Sequence, residues 1–500
     1  MERKSFWWIF RVVALSLQLI ASVVASILLI QLNMLPGVYV ALIILALVLL
    51  LEFSLLFMFI KVKNTVSLWR RIVSCVIAFV VVIGCGVISK FVWDTKRMLD
   101  QVADDVSGAP STYVLVLNEN PAQSLADTKG YRFGALENYD TELTQQLLAV
   151  IETEIGNSAD VVYFKQTAEM VDALYNEDVD ALIMSAAGMS LYIEEDDSQN
   201  LLARVRFLYT HTYRSEKEET PKTEDVNVTN TPFVFYISGS DTRSKKLTVS
   251  RSDVNILAVV NPVDKQILLI NTPRDYFVAN PAGKDALDKL THCGNHGVEN
   301  SVKALEKLYD TEITHYAKIN FYGFKALIDA IDGITVVSDQ AFTTFEGIYI
   351  KKGENNLNGE EALAFARDRY HISGGDDSRG KNQMRVIQAV VDKMTHSTTL
   401  ISNYGEILKG LEGMFVTSLS TEEMGDLVKM QLSDMAAWDM QSFSVTGTGA
   451  MKETYSVPGQ NLSVKIPDED VVAYAQKLIQ RVLDGEVLES ADMAMPQAAE

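Results

Sequence analysis

Three long apolar stretches near the amino terminus constrain this chain more than any other feature. They cover residues 7–32, 39–60 and 72–92 of 500. Each reaches the roughly 20 residues that a helix needs to cross the hydrocarbon core of a bilayer. A cleaved signal peptide is the alternative for the first stretch, but its apolar part is too long and two further stretches follow. The sequence therefore predicts a three-helix transmembrane anchor over residues 1–93.

Basic residues around these stretches predict how the anchor is oriented. Arg3, Lys4 and Arg11 flank the first stretch. Four more lie between the second and third stretches: Lys61, Lys63, Arg70 and Arg71. Because cytoplasmic segments of membrane proteins are enriched in Lys and Arg, both sets should face the cytoplasm. With three crossings of the cell membrane, the chain after about residue 93 is expected to be extracellular.

Charge and cysteine content argue against two classes of protein for the exterior part. Residues 1–93 carry eight Lys or Arg and two acids, a net charge of +6, so −27 falls on the other residues of a chain whose net charge is −21. Such an acidic exterior repels nucleic acid, which argues against a DNA-binding function. Cys75 and Cys85 lie in the third apolar stretch and only Cys293 lies outside it, so no disulfide framework holds the exterior together.

Two α/β units are predicted beyond the anchor. Residues 94–214 alternate strand and helix patterns and predict a small extracellular accessory domain. A polar segment rich in Glu, Lys and Thr, residues 215–231, predicts a linker. Residues 232–485 predict a second α/β domain, in which helices flank a mixed central sheet, and residues 486–500 predict a disordered tail.

An acid and a guanidinium are predicted to converge at one edge of the second sheet. Apolar runs on both sides of the turn at residues 261–265 indicate a β-hairpin. A turn centred on Val263 places Asp253 opposite Pro273 and beside Arg274. If Asp241 leaves its own strand at the same edge, two carboxylates and a guanidinium line one pocket, which suits a divalent metal and a phosphate. A turn with side-chain caps and a surface ion pair is the alternative, and spacing alone leaves both open.

A second group of basic residues surrounds a glycine-rich break. A helix predicted to end at about residue 366 is followed by Arg367 and Arg369, which share a face only if the backbone is extended there. A long helix predicted from about residue 379 carries Arg379 and Gln383 on one face near its amino terminus, where the helix dipole favours anions. Single arginines on helices are usually solvated, but three around one break favour an anion site.

These motifs, in this order, resemble the LytR-CpsA-Psr family of cell-wall ligases. Five segments meet the family pattern: Asp241, Arg251-Ser252-Asp253, Asn271-Thr272-Pro273-Arg274-Asp275, residues 362–369 and residues 375–383. The resemblance covers about residues 231–397, and the three spans with an accessory domain resemble the capsule-associated streptococcal branch. Asn382 departs from the pattern, because many members have arginine at that position.

The resemblance implies a polyprenyl-pyrophosphate-dependent enzyme. Such a ligase transfers a glycopolymer, here expected to be capsular polysaccharide, from an undecaprenyl-pyrophosphate carrier to peptidoglycan on the outer face of the membrane. It implies that Asp241 and Asp253 hold Mg²⁺, with Mn²⁺ as an alternative ion. The residues implied in clamping the pyrophosphate are Arg274, Lys289, Arg367, Arg369, Arg379 and Gln383. Among these, Arg274, Arg367 and Arg369 are expected to act with the two acids in catalysis. Asp253 is the preferred general base if it is not fully committed to the ion, with metal-bound and substrate-assisted routes left open.

The expected partners are the lipid-linked polysaccharide, peptidoglycan, membrane lipid and membrane proteins of capsule synthesis. A non-catalytic sensor is the alternative class, in which the arginines hold polyprenyl phosphate and the accessory domain reports on capsule synthesis. A sensor needs the arginines but not the two acids. An ATP-dependent kinase is excluded because no Gly-rich loop followed by Lys-Ser/Thr is present. Zinc binding by His292, Cys293 and His296 is disfavoured because a fourth ligand is missing.

Overall fold

The fold is described from a computed structural model of the whole chain. The structure describes residues 2–59, 68–103, 111–195, 200–212, 226–240, 247, 249–396, 407 and 410–495. Asp241, Lys61, Lys63 and most of the predicted linker lie outside the described residues.

The amino-terminal part is helical, as predicted. Its helices are α1 (Glu2–Leu32), α2 (Gly37–Phe59) and α3 (Leu68–Ala103). Within the described residues, three helical segments are long and apolar enough to cross a membrane: Trp8–Leu32, Gly37–Phe59 and Trp69–Arg97. The helices contact one another through a small buried cluster of Ala25, Val81 and Cys85.

The accessory domain is an α/β unit in which a five-stranded mixed sheet has an apolar core on each face. Its strands are β1 (Ser111–Leu117), β2 (Arg132–Leu136), β3 (Asp160–Phe164), β4 (Ala181–Ser185) and β5 (Val205–Thr212). Its helices are α4 (Thr141–Ile155), α5 (Thr167–Tyr175), α6 (Ala186–Glu195) and α7 (Asn200–Arg204). The strand order is β3-β2-β4-β1-β5, so β3 and β5 are the edge strands.

The second domain is larger and is built from the following elements. Its strands are β6 (Phe233–Ser240), β7 (Ser252–Asn261), β8 (Gln266–Asn271), β9 (Phe277–Asn280), β10 (Ala286–Lys289), β11 (His315–Asn320), β12 (Ile334–Ser338), β13 (Phe342–Thr343), β14 (Tyr349–Ile350), β15 (Gly353–Leu357), β16 (Phe415–Thr417), β17 (Asp439–Ser444), β18 (Gly447–Thr454) and β19 (Val457–Pro467). Its helices are α8 (Leu290–Cys293), α9 (Val298–Tyr309), α10 (Phe321–Ala330), α11 (Gly359–Arg367), α12 (Gly375–His396), α13 (Thr421–Asp434) and α14 (Glu469–Leu483).

The central sheet of this domain is mixed and flanked by helices on both faces, which confirms the predicted fold class. Its strand order is β16-β11-β6-β7-β8-β17. Strand β6 runs parallel to β11, and β8 runs parallel to β17, while the other pairs are antiparallel. Leu305 of α9 and Leu478 of α14 belong to the core on one face, and Met384 of α12 covers the other face.

Both ends of the second domain extend beyond the predicted boundaries. Val228, within the predicted linker, is 2% exposed and packs against Phe233 and Leu419. Leu488, within the predicted tail, is 1% exposed; its N–H donates to Gln266 Oε1 at 2.7 Å and its carbonyl accepts from Gln266 Nε2 at 2.8 Å. The structure therefore places residues 226–231 and 486–495 in the domain, because one apolar side chain in each polar segment is buried in a core.

A buried polar cluster joins the accessory domain to the second domain. His296 Nδ1 lies 3.5 Å from Asp140 Oδ1, and its Nε2 lies 3.3 Å from the hydroxyl of Tyr139. The ring of Tyr455, in the turn of the β18–β19 hairpin, lies 5.3 Å from the ring of Tyr139. At the base of that hairpin the Lys465 N–H donates to the Asp275 carbonyl at 2.7 Å. The hairpin thus connects the accessory domain to the loop that follows β8.

Candidate anion-binding site

One edge of the central sheet gathers the ends of several strands. Ser240 at the end of β6 pairs with Ser252 at the start of β7, and Asn320 at the end of the parallel strand β11 lies beside Ser240. Strand β8 ends at Asn271 on the other side of β7. Side chains that follow these strands are therefore brought to a common edge, although they are distant in sequence.

Asp253 and Arg274 meet at this edge. Ile256 pairs with Asn271, and continuing this register places Asp253 opposite Arg274, one residue from the predicted partner Pro273. Arg274 Nη1 lies 2.7 Å from Asp253 Oδ1, and the Thr291 hydroxyl donates to the same oxygen at 3.1 Å. Both ion-paired side chains are less than one-fifth exposed. The predicted convergence of acid and guanidinium is confirmed in a largely buried setting.

Asp275 connects a second cation to this pair. Lys289 Nζ lies 3.1 Å from Asp275 Oδ1, and Arg274 Nε lies 3.8 Å from the same oxygen. Burial alone would raise the pKa of Asp275, but the charges of Lys289 and Arg274 outweigh it and lower the pKa overall. The carboxylate is thus ionised and holds both cations at the sheet edge.

Arg379 lies on α12, which packs on the face of the central sheet opposite α9 and α14. That helix begins at Gly375, four residues earlier than predicted, with Asp376 and Asp377 in its first turn. A Cβ on Gly380 would lie 2.2 Å from Asn271 Nδ2, so the glycine lets α12 approach the end of β8. The Arg379 side chain is 11% exposed and pairs with Asp376.

The electrostatics of Arg379 place it among the other cations. Burial lowers the pKa of Arg379; Asp376 opposes this effect, while the neighbouring charges of Arg274 and Arg369 reinforce it. A guanidinium remains protonated at neutral pH even so. Buried like charges repel, so a bound anion would stabilise this arrangement.

Arg367 and Arg369 project from an extended segment, as predicted. Helix α11 ends at Arg367, and Asp368 has extended dihedral angles of φ −66° and ψ 132°. Asp368 points inward and accepts the N–H groups of Phe345 at 3.0 Å and His371 at 2.8 Å. Burial would raise the pKa of Asp368, but its hydrogen bonds with His371 lower it overall. Arg367 and Arg369 therefore face outward on either side of the buried, ionised Asp368.

Arg367 and Gln383 lie at the rim of the site rather than in its buried part. The Arg367 guanidinium stacks over Phe321 at 4.5 Å and lies 3.6 Å from Glu346 Oε1. Gln383 Nε2 donates to the Ala366 carbonyl at 3.3 Å, which joins α12 to the end of α11. Asn382, the departure from the family pattern, is 0% exposed and donates to the Phe365 carbonyl at 3.4 Å.

Several contributing residues were not singled out from the sequence. Lys318 of β11 is 4% exposed and its Nζ donates to the Ser250 carbonyl at 3.3 Å. Asp275 and Asp368 each adjoin a predicted arginine, and that adjacency was a usable signal. Thr291 and Lys318 carried no such signal, because only tertiary packing brings them to the site.

One carboxylate of the predicted metal pair can be tested for its fit to Mg²⁺. Asp253 Oδ1 is bonded by Arg274 and Thr291, and within the described residues Oδ2 is the oxygen left for a cation. No group of three or more His, Cys, Asp or Glu that could hold a metal occurs within the described residues. Mg²⁺ is commonly held by one or two carboxylates together with substrate phosphates, so this donor fits the ion.

The fold and the site define a class: an α/β protein with apolar helices and a cluster of buried cations at the edge of a mixed sheet. The profile of the LytR_cpsA_psr family matches residues 205–468. That match covers more than half of the chain, and the chain belongs to this family.

Individual relatives agree with the family assignment. The chain is 33% identical over 279 residues to the Enterococcus faecalis "Polyisoprenyl-teichoic acid–peptidoglycan teichoic acid transferase TagU", covering 55% of this chain and 87% of the relative. A Bacillus cereus protein of the same name is 32% identical over 221 residues, covering 44% and 71%. The crystal structure of TagV from B. subtilis shares 26% identity, covers 51% of this chain and 98% of that chain, and has a TM-score of 0.43.

Proposed function

We propose that this protein transfers a glycopolymer from a polyprenyl-pyrophosphate carrier to peptidoglycan. The single observation that carries the proposal is the grouping of Arg274, Arg379 and Lys289 around Asp253 and Asp275 at one edge of the sheet. Guanidinium groups bind phosphate oxygens with bidentate geometry, and in a partly desolvated site these bonds are strong. Similar members of the family bear the name of teichoic acid transferases, which supports the same class of donor here.

The proposed reaction is a displacement at phosphorus. A hydroxyl oxygen of a peptidoglycan sugar attacks the phosphorus that bears the glycan, and a new P–O bond forms. The P–O bond to the bridging oxygen breaks, and polyprenyl phosphate leaves with the bonding electrons. Arg274 and Arg379 stabilise the charge that accumulates on the departing phosphate. Asp253 Oδ1 is bonded to Arg274 and Thr291, and Oδ2 is the oxygen assigned to the cation. The hydroxyl proton is therefore assigned to a non-bridging phosphate oxygen of the donor.

The proposal includes a divalent cation at Asp253, with Asp241 as a second ligand. Mg²⁺, or Mn²⁺ in its place, would neutralise part of the pyrophosphate charge when bound. Asp253 is oriented by its ion pair with Arg274, which suits a metal ligand. Asp241 directly follows Ser240, the last residue of β6 at this edge, but itself lies outside the described residues.

Capsular polysaccharide is the proposed glycopolymer, and teichoic acid is the competing one. The reason is the architecture: three apolar helices and an accessory domain precede the family domain, as in the capsule-associated branch. The proposed partners are accordingly the lipid-linked polysaccharide, peptidoglycan, membrane lipid and membrane proteins of capsule synthesis.

We also infer that both α/β domains lie outside the cell. Asn33, between α1 and α2, donates to Asp426 Oδ1 at 3.1 Å and accepts from Lys429 Nζ at 3.1 Å. The α1–α2 loop therefore lies on the same side as the second domain. Arg70 and Arg71 lie beyond the other end of α2, away from the α1–α2 loop. The distribution of Lys and Arg assigns that end to the cytoplasm.

Labelling of single cysteines on intact cells tests this topology. In a variant with the native cysteines replaced, Val487→Cys should react with a membrane-impermeant maleimide, because Val487 is 54% exposed on the second domain. Asn64→Cys, between the second and third spans, should react only after the membrane is opened. Labelling of Asn64→Cys on intact cells would contradict the inferred orientation.

The transfer proposal is tested with the full chain in lipid nanodiscs, a polyprenyl-pyrophosphate oligosaccharide and peptidoglycan fragments. A glycan-bearing peptidoglycan product is expected with Mg²⁺, and its formation should stop when the metal is chelated and resume when Mg²⁺ or Mn²⁺ is restored. Product formation without any divalent cation would refute the proposed role of the acids. Tight binding of the lipid with no product from any donor would favour the sensor alternative.

A further inference from the structure

The hairpin β13–β14 is fixed against the segment that carries Arg367 and Arg369. The N–H of Phe345, in the turn of this hairpin, donates to the buried Asp368 at 3.0 Å. Gln340 Nε2 donates to the Ser373 carbonyl at 3.1 Å, and the Ser373 N–H donates to Gln340 Oε1 at 3.1 Å. The rings of Phe342 and Phe365 stack at 6.1 Å. These independent contacts hold the turn in a defined place beside the two arginines.

Three large aromatic side chains on this scaffold are left in solvent. Phe345 is 82% exposed, Tyr370 is 77% exposed and Tyr349 is 67% exposed. The Arg369 guanidinium lies 4.7 Å from the centre of the Tyr370 ring. Exposed aromatic rings lose the stabilisation that burial provides, and a group of them on a well-anchored hairpin and the segment bonded to it is typical of a binding surface.

A carboxylate completes this surface. Glu346 follows Phe345 in the turn and lies 3.6 Å from Arg367 Nη1. Arg367 belongs to the proposed phosphate clamp, so a bound phosphate would compete with Glu346 for the guanidinium. The displaced carboxylate would then be available to accept hydrogen bonds from hydroxyl groups of the bound molecule.

We propose that Phe345, Tyr370 and Glu346 form a subsite for the sugar ring attached to the pyrophosphate of the donor. This inference rests on the proposed function and specifies which part of the donor the site reads. A sugar ring presents a C–H face that packs on an aromatic ring and hydroxyls that bond to a carboxylate, and this surface offers both. A polyprenyl chain needs an enclosed apolar slot, whereas these rings are open to solvent and stand beside charged groups.

The test compares two ligands that differ only in the sugar. The full chain in nanodiscs is titrated with a short-chain polyprenyl pyrophosphate and with the same lipid bearing a disaccharide. Phe345→Ala and Tyr370→Ala are each expected to weaken binding of the glycosylated lipid by about tenfold, since an aromatic contact and its buried area are lost. In Phe345→Ala, binding of the bare pyrophosphate should not change. Phe345→Trp keeps a ring at the same place and should restore affinity.

Tyr163→Ala is the matched control. Tyr163 is 51% exposed on the edge strand β3 of the accessory domain, so its loss removes an exposed aromatic ring away from the proposed subsite. The control should bind both ligands as the unmodified chain does. Equal weakening of the two ligands by Phe345→Ala would assign the surface to the lipid and overturn the inference, as would unchanged binding of both. Since binding is measured without turnover, failure of the transfer reaction in the unmodified chain would contradict the proposed function and not this subsite.

Discussion

Replacing Asp253 with alanine is expected to lower glycopolymer transfer by about a thousandfold, because the change removes the proposed metal ligand and frees Arg274 from its ordered position. Asp253 Oδ1 bonds both Arg274 at 2.7 Å and Thr291 at 3.1 Å, so one carboxylate orients two neighbours. The measurement is the rate of product formation in the reconstituted assay. Binding of polyprenyl pyrophosphate should fall much less, because the other cations remain.

Two further variants separate charge from shape in this experiment. Asp253→Asn keeps an oxygen for Thr291 but removes the negative charge, and transfer should be lost in the same way. Asp264→Ala is the control, because Asp264 lies in the turn at the opposite end of the same hairpin, where it accepts from Asn261 Nδ2 at 2.9 Å. A normal rate in Asp253→Asn would show that the charge is not needed and would end the proposal of a metal ligand.

Arg379→Ala is expected to weaken binding of polyprenyl pyrophosphate by about a hundredfold, because it removes a buried guanidinium proposed to bind phosphate and leaves a carboxylate unpaired. The Arg379 side chain is 11% exposed and pairs with Asp376. The affinity is measured by titration with the lipid, and thermal unfolding is recorded in parallel. Arg379→Lys keeps the charge without the bidentate geometry. Its affinity for the lipid should lie between that of the unmodified chain and that of Arg379→Ala.

Arg385→Ala is the matched control for this arginine. Arg385 lies on the same helix, pairs with Asp339 and donates from Nη1 to Asn382 Oδ1 at 3.0 Å. It is a partly exposed pair of the kind that contributes roughly 0–1 kcal/mol to stability, and neither Asp339 nor Asn382 is a proposed phosphate ligand. Equal losses of affinity in Arg379→Ala and Arg385→Ala would show a general effect on α12 and contradict a phosphate contact at Arg379.

The local elements of the fold could be read from the sequence because they depend on neighbouring residues. Apolar periodicity over residues 141–155 and 298–309 predicts two helices with one buried face each, and the structure has helices with these bounds. The hairpin of β7 and β8 is confirmed for the same reason, although its register differs by one residue. The start of α12 was placed too late, because the acids that stabilise its first turn were interpreted as part of a loop.

The composition of the candidate site could be predicted only in part. Arg367, Arg369 and Arg379 stood out because they surround one glycine-rich break, and Arg274 stood out because the hairpin places it beside Asp253. The structure brings Arg274, Arg369 and Arg379 into electrostatic contact. Lys289 contacts Asp275 because β10 pairs with β9, and this pairing could not be read from the residues next to Lys289. The position of Asp241 stays a prediction, since it lies outside the described residues.

The order of apolar and polar residues along the chain was enough to specify a three-helix amino terminus, two α/β units and an acid–guanidinium edge, because periodicity and turn chemistry act over a few residues. Tertiary structure alone decided which side chains face one another: Thr291 on Asp253, the Phe345 turn on Asp368, and the β18–β19 hairpin between the accessory domain and the site. These contacts join segments far apart in sequence, and they exist only because helices pack on both faces of one sheet and bring its strand ends together.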